Sequence, residues 1–126
     1  AGSNAPLAVT LGWFLAERDR DAVGFRWQTA TENGTAGFYV LAATDDGSVG
    51  DKVRLNPDLI PSPVIDAVTP TDYAFRAVTA ANRFYLPEMG INGQVSEYGP
   101  FELGIESGSH HGAAQRPAVW LPLIMR

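Results

Sequence analysis

The sequence predicts an antiparallel all-β domain of about seven strands, because three features agree. Residues 22–30 alternate strictly, with Val23, Phe25, Trp27 and Thr29 on one face and smaller or polar side chains on the other. Thirteen Gly and nine Pro are spread along the 126 residues, as frequent short turns require. No segment of ten or more residues combines helical periodicity with helix caps. The length fits a single domain, and the pattern is typical of a β-sandwich or a small barrel.

Alternation and turn residues set the expected elements in chain order. The predicted strands are Leu7–Ala16, 22–30, Ala36–Ala43, Asp51–Asn56, Asp72–Thr79, Arg83–Met89 and Gln94–Ile105. Turn-forming triplets at 19–21, 32–34, 45–47 and 56–58 separate the earlier strands, and Asn92-Gly93 is the strongest hairpin signal. Pro63–Val68 is a further candidate, for an edge strand only, because its proline cannot donate a ladder hydrogen bond. The residues expected in the core are Val23, Phe25, Trp27, Phe38, Val40, Tyr73, Phe75 and Leu86.

Four segments carry a resemblance to a known family. Residues 23–33 read Val-Gly-Phe-Arg-Trp-Gln-Thr-Ala-Thr-Glu-Asn and precede Gly-Phe-Tyr-Val at 37–40. Asn-Pro-Asp-Leu-Ile-Pro follows at 56–61, and then come a hairpin at 84–93 and Tyr-Gly-Pro-Phe at 98–101. In this order, over roughly residues 7–104, they resemble the bacterial fibronectin type III-like modules of secreted and cell-surface proteins. The resemblance implies an immunoglobulin/fibronectin type III-like sandwich and an extracellular or cell-surface location.

Charge and composition exclude several functional classes. Fourteen acids against nine bases give a net charge of −5, and no block of Lys or Arg exists, so we expect no nucleic-acid partner. The longest apolar run, Val119–Met125, is far shorter than a membrane span. The chain has no cysteine, so disulfides and thiol chemistry are excluded. Residues 1–6 do not form a signal peptide, and we expect either a mature chain whose leader was removed or an excised domain.

No motif predicts an enzyme, and we assign no catalytic, cofactor-binding or metal-binding residue. Asp45, Asp46 and Asp51 could ligate calcium, but turn chemistry is the favoured interpretation because their spacing does not fit a calcium-binding loop. His110-His111 lies in a Ser/Gly-rich stretch and is interpreted as part of a linker, because metal binding would need further ligands nearby.

Other polar and aromatic residues have a functional and a structural interpretation. The acids Glu32, Glu88, Glu97 and Glu102 could form an acid–base pair, but we expect them on solvated faces and in turns. Trp27 could stack on a sugar, although its alternation favours the core, and glycan binding has no other support. Trp13-Phe14 should point to opposite faces, so one ring is expected to be exposed or covered by another element. A glycosylation sequon begins at Asn33.

The last twenty residues give the main functional clue. The sequence divides into a sandwich at 1–106, a flexible linker at 107–116 and an extra hydrophobic strand at 117–126. The residues expected to bind a partner are Val119, Trp120, Leu121, Leu123, Ile124 and Met125. Burying six such side chains contributes on the order of 9–18 kcal/mol gross. Left free, the segment would promote aggregation, so we expect it to be covered.

Two destinations for this segment remain open. It could fold back on its own domain, or it could add a strand to a neighbouring copy. A ten-residue linker extends at most about 36 Å, so its length permits both. We expect the second, which predicts a homo-oligomeric structural subunit of an extracellular assembly such as a filament. The alternative is a non-catalytic spacer or glycan-binding accessory module of a larger secreted protein.

Overall fold

The computed structural model describes residues 10–43 and 51–108, and these residues form ten β-strands and no helix. In chain order, the strands are β1 (Thr10–Asp19), β2 (Ala22–Thr31), β3 (Thr35–Phe38), β4 (Leu41–Ala43), β5 (Lys52–Arg54), β6 (Ile60–Pro61), β7 (Thr71–Val78), β8 (Arg83–Gly90), β9 (Val95–Glu102) and β10 (Ser107–Gly108). All strand pairs are antiparallel. The predicted antiparallel all-β class is therefore confirmed.

The strands form two sheets. The four-stranded sheet has the order β10-β1-β2-β7. The six-stranded sheet has the order β5-β4-β8-β3-β6, with β9 also paired to β8. β3 and β4 are two halves of one predicted strand, and both pair with β8. The hairpin between β8 and β9 turns at Gly93, whose φ of 88° requires the left-handed region that glycine tolerates.

Aromatic rings from both sheets form the core. Phe14 of β1 stacks on Phe101 of β9 with ring centroids 4.2 Å apart. Trp27 of β2 meets Phe38 of β3 edge-on at 5.6 Å, and its fully buried ring cannot serve as a sugar platform. Such contacts combine a large buried apolar area with favourable ring geometry. The assignment of Trp27 to the core is therefore confirmed.

The buried residues follow the predicted alternation with one exception. Every residue expected in the core is buried except Phe75, which is only half-buried. Phe75 faces inward and packs on Phe25 with ring centroids 6.0 Å apart, but β7 is the last strand of its sheet. Within the described residues no strand lies beyond β7 to cover this ring. Trp13 and Phe14 are both buried, so Trp13 is covered although it lies outside the central cluster.

The predicted edge strand at Pro63–Val68 was wrong. Only Ala67 pairs there, in an isolated bridge with Glu32. Ser62 Oγ accepts hydrogen bonds from the backbone N–H groups of Val64 and Ile65, which curls the chain into a turn. A side-chain acceptor therefore competes with the sheet for these donors. The short strand β6, which was not predicted, precedes this turn.

Ser107 and Gly108, the first two residues of the predicted linker, form β10 beside Phe14 and Trp13. Gly108 has a φ of 85°, and a Cβ at this position would lie 2.1 Å from the carbonyl oxygen of Gly12. Glycine is therefore required for this close approach. The rest of the linker lies outside the described residues.

Replacing Phe14 with Ala should destabilise the domain by about 3–5 kcal/mol, because it leaves a cavity between the two sheets. The free energy of unfolding, measured by urea titration, checks this value. The control is Val53→Ala on the exposed surface of β5, which should change it by no more than about 0.5 kcal/mol. Equal effects of the two substitutions would contradict the described core.

Candidate functional site

The residues predicted to bind a partner, Val119, Trp120, Leu121, Leu123, Ile124 and Met125, lie outside the described residues. Asp45, Asp46 and the histidine pair at 110–111 lie outside them too. Two features of the described part have functional potential. One is a buried pair of acids, and the other is the open outer edge of β7.

Glu32 follows the last residue of β2 and is only 3% exposed. Its carboxylate accepts hydrogen bonds from three hydroxyl groups: Thr29 Oγ1 at 2.9 Å, Tyr73 OH at 2.5 Å and Ser62 Oγ at 2.5 Å. Its backbone exchanges two hydrogen bonds of 2.9 Å with Ala67. The carboxylate thus joins β2, β7 and the 62–67 segment at one end of the four-stranded sheet. Buried acids need such partners to offset desolvation.

Glu88 lies on β8 and is 1% exposed. Its Oε2 has no hydrogen-bond partner among the described residues, and neither has the buried hydroxyl of Thr35 on the neighbouring strand. Burial raises the pKa of Glu88, the negative charge of Glu32 raises it further, and the nearby Thr35 hydroxyl opposes the rise. These conditions favour the protonated form of Glu88.

Two tyrosines respond to the same pair of acids. Burial, followed by the hydrogen bond to Glu32, raises the pKa of Tyr73 above its usual value. Burial and then the charge of Glu88 raise the pKa of Tyr98 to about 12. Both phenols are therefore neutral at physiological pH. The cluster contains hydroxyl donors and one carboxylate acceptor, and it lacks a cationic partner among the described residues.

The arrangement brings two of the four glutamates considered above into the interior, although all were expected at the surface. For Glu32 and Glu88 that expectation was wrong. Glu97 and Glu102 do lie at the surface, where they pair with Lys52 at 2.9 Å and Arg83 at 2.8 Å. The sequence held a signal for Glu88, which continues the inward series Phe84 and Leu86 along β8. Glu32 does not continue the inward alternation of β2. Its bridge to Ala67 is shifted by one residue relative to the β2–β7 pairing, so alternation along β2 could not predict its burial.

Chemistry at this pair would need access for a substrate, and the described surface offers none there. A shallow depression of about 540 Å³ lies instead on the outer face of the four-stranded sheet, over Gly24. Its rim carries ion pairs of Arg26 with Glu17 at 3.6 Å and Arg76 with Asp19 at 3.2 Å. Exposed pairs of this kind contribute little to stability. Of the two buried acids, Glu32 connects strands through its hydrogen bonds.

The end of the molecule that carries Glu32 also presents apolar side chains to solvent. Ile65 is exposed and has a φ of 64°, which is rare for a β-branched residue and is favoured here by a tight turn between Val64 and Asp66. Ile91 is also exposed, and its N–H donates to the carbonyl oxygen of Gly34. Nothing in the described residues identifies what would bind these side chains. Asn33, which begins the sequon, is exposed beside them.

The outer edge of β7 is the longest open edge without proline in the described residues. β7 contains eight residues and pairs only with β2 there. Its inward-facing Phe75 and Ala77 are half-buried, whereas Asp72, Ala74 and Arg76 on the opposite face are exposed. An edge of this kind presents unsatisfied N–H and C=O groups that another strand can pair with.

Comparison with protein-family models, curated proteins and solved structures gave no match. Among the described residues no helix is long and apolar enough to cross a membrane.

Replacing Glu88 with Gln should stabilise the protein at pH 7 by on the order of 1–3 kcal/mol, because burial raises the pKa of this carboxyl, so that folding must either desolvate its charge or bind a proton. Since the pKa of Glu88 is raised in the folded state, the wild type loses stability as pH rises from the unfolded pKa through the folded one. The free energy of unfolding gained by the Gln substitution should therefore be smaller at pH 4 than at pH 7. Urea unfolding at both pH values measures it.

The control for this substitution is Glu102→Gln, which removes an exposed acid from the adjacent strand β9. It should change the free energy of unfolding by no more than about 1 kcal/mol at either pH. A destabilised Glu88→Gln variant at pH 7 would show that the charged carboxylate is needed in the core.

Proposed function

We propose that this chain is a non-catalytic structural subunit of an extracellular or cell-surface assembly, joined to a neighbouring copy by strand addition through residues 117–126. The observation that carries the proposal is the open eight-residue edge of β7 in a chain that also contains an apolar seven-residue run, Val119–Met125. One supplies unpaired backbone groups, and the other is a strand-length segment with apolar side chains on both faces. The open edge and the apolar segment can therefore pair by strand addition.

We further propose that the domain is an immunoglobulin/fibronectin type III-like sandwich. Support comes from the strand order, because the first, second and fifth strands of such folds share one sheet, whereas the third, sixth and seventh share the other. Here β1, β2 and β7 share one sheet, and the interrupted strand β3–β4 lies with β8 and β9 in the other. Contacts between rings of the two sheets, such as Phe25 with Phe84, support face-to-face packing.

A structural role agrees with the surroundings of the four glutamates in the described residues. Glu32 and Glu88 are buried where a substrate cannot reach them, and Glu97 and Glu102 take part in surface ion pairs. A core fixed by aromatic packing and a buried hydrogen-bond cluster suits a subunit that transmits load between neighbours. The resemblance of residues 7–104 to modules of secreted proteins supports the extracellular setting.

Deleting residues 117–126 should convert the assembled protein into a folded monomer, because the donor strand is lost. Light scattering after size-exclusion chromatography gives the mass, and circular dichroism should show an unchanged β-rich spectrum. Deleting the polar residues 1–6 provides the control and should leave the assemblies intact.

Two outcomes would contradict the proposal. One is an intact protein that remains monomeric at high concentration. The other is a truncation that unfolds the domain, which would place the segment in its own core. In either case the alternative of a spacer module in a larger secreted protein would replace the structural subunit.

A further inference from the structure

We infer that the outer edge of β7 is the acceptor for residues 117–126 of the next copy, and that subunits therefore join head to tail. This inference rests on the proposed function and specifies its partner surface. The occupant is this segment of a second copy of the chain.

The edge strands differ in what they offer to an added strand. β5 has three residues and β6 has two, so neither provides a ladder long enough for a seven-residue donor. β9 has eight residues, but Pro100 within it lacks a donor. β7 has eight residues without proline and pairs only with β2 in the described part of the chain. It matches the length of the donor best.

The side chains of β7 indicate that a neighbour is missing on this side. Phe75 and Ala77 face the interior, yet both are only half-buried, because the sheet ends at β7. Near the two ends of this edge, Val68, which precedes β7, and Val78, its last residue, are 90% and 70% exposed. A further strand would shield the inward pair and bury apolar area. The edge thus offers an apolar contact surface in addition to its backbone groups.

The sequence of the donor fits this position. Val119, Leu121 and Leu123 would share one face of an added strand and could cover Phe75 and Ala77. Pro122 lacks an N–H group, which is tolerated because an added strand becomes the new edge and every second N–H points away from the sheet.

β10 and β7 lie at opposite edges of the four-stranded sheet. The described chain reaches Gly108 beside β1, and β1 and β7 lie on opposite sides of β2 in the same sheet. The described chain therefore ends at one edge of the sheet, whereas the acceptor is the other edge, about 14 Å away at three strand spacings. Donor and acceptor surfaces differ, so the contact is heterologous. Such contacts propagate into open chains unless their rotation closes a ring or two copies exchange their segments reciprocally to form a closed dimer.

Disulfide trapping tests the acceptor directly, because the chain has no native cysteine. One preparation carries Ala77→Cys on β7, and a second carries Leu121→Cys in the donor. Val119→Cys and Leu123→Cys serve as alternatives for the register. After mixing and mild oxidation, a disulfide-linked pair should form between the two kinds of chain, as its short Cα–Cα distance requires contact. The matched control is Val53→Cys on the edge strand β5, and its yield should be roughly tenfold lower.

The outcomes separate this inference from the proposed function. Equal trapping at Val53→Cys and Ala77→Cys, or absence of trapping in protein that still assembles, overturns the β7 acceptor and leaves the structural subunit standing. A third preparation carries both cysteines in one chain. If a disulfide forms only within this chain, the segment folds back on its own domain, which overturns both the β7 acceptor in a second copy and the proposed function. Trapping between chains at Ala77, with little at Val53, supports the head-to-tail arrangement.

Discussion

The contact of aromatic rings across the two sheets is the interaction on which the rest of the structure depends. Phe14, Trp27 and Phe25 face Phe101, Phe38 and Phe84, so that each strand of the β1–β2 hairpin packs on strands of the other sheet. Because the chain has no cysteine, disulfides cannot join the sheets, and the aromatic contacts contribute much of the buried apolar area between them. Glu32 and Glu88 are buried in the same fold, and the strand order leaves β7 at one edge of its sheet.

Glu32 and Glu88 differ in how well the fold satisfies them. Glu32 receives three hydroxyl donors and connects β2 to β7 and to Ser62, so its burial organises the end of the sheet. Glu88 has an oxygen without a partner, and its pKa is raised by burial and by its neighbour. Buried networks of this kind can favour one arrangement of strands over another at a cost in stability.

Short-range alternation predicted most of the fold, because period-2 burial is a local property of a strand. It identified Val23, Phe25 and Trp27 on β2 and Leu86 on β8, and the Asn92-Gly93 turn located a hairpin. Alternation gave wrong predictions where contacts between residues far apart in sequence determine burial or strand pairing. Phe75 is half-buried because β7 ends its sheet, and the 63–68 strand does not form because Ser62 accepts the backbone donors. The Glu32 cluster depends on hydroxyl groups that are far apart in sequence, which no local pattern could reveal.

When the chain assembles, the open edge of β7 should pair with a strand of another copy. Hydrogen–deuterium exchange followed by mass spectrometry tests it on the native sequence, comparing assembled protein with protein diluted to monomers. Peptides that cover Thr71–Val78 should gain protection on assembly, because the outward N–H groups of an edge strand exchange unless another strand accepts them. Peptides from β5 and β9 should remain unchanged. Protection that appears at those edges, with no change across Thr71–Val78, would contradict the account.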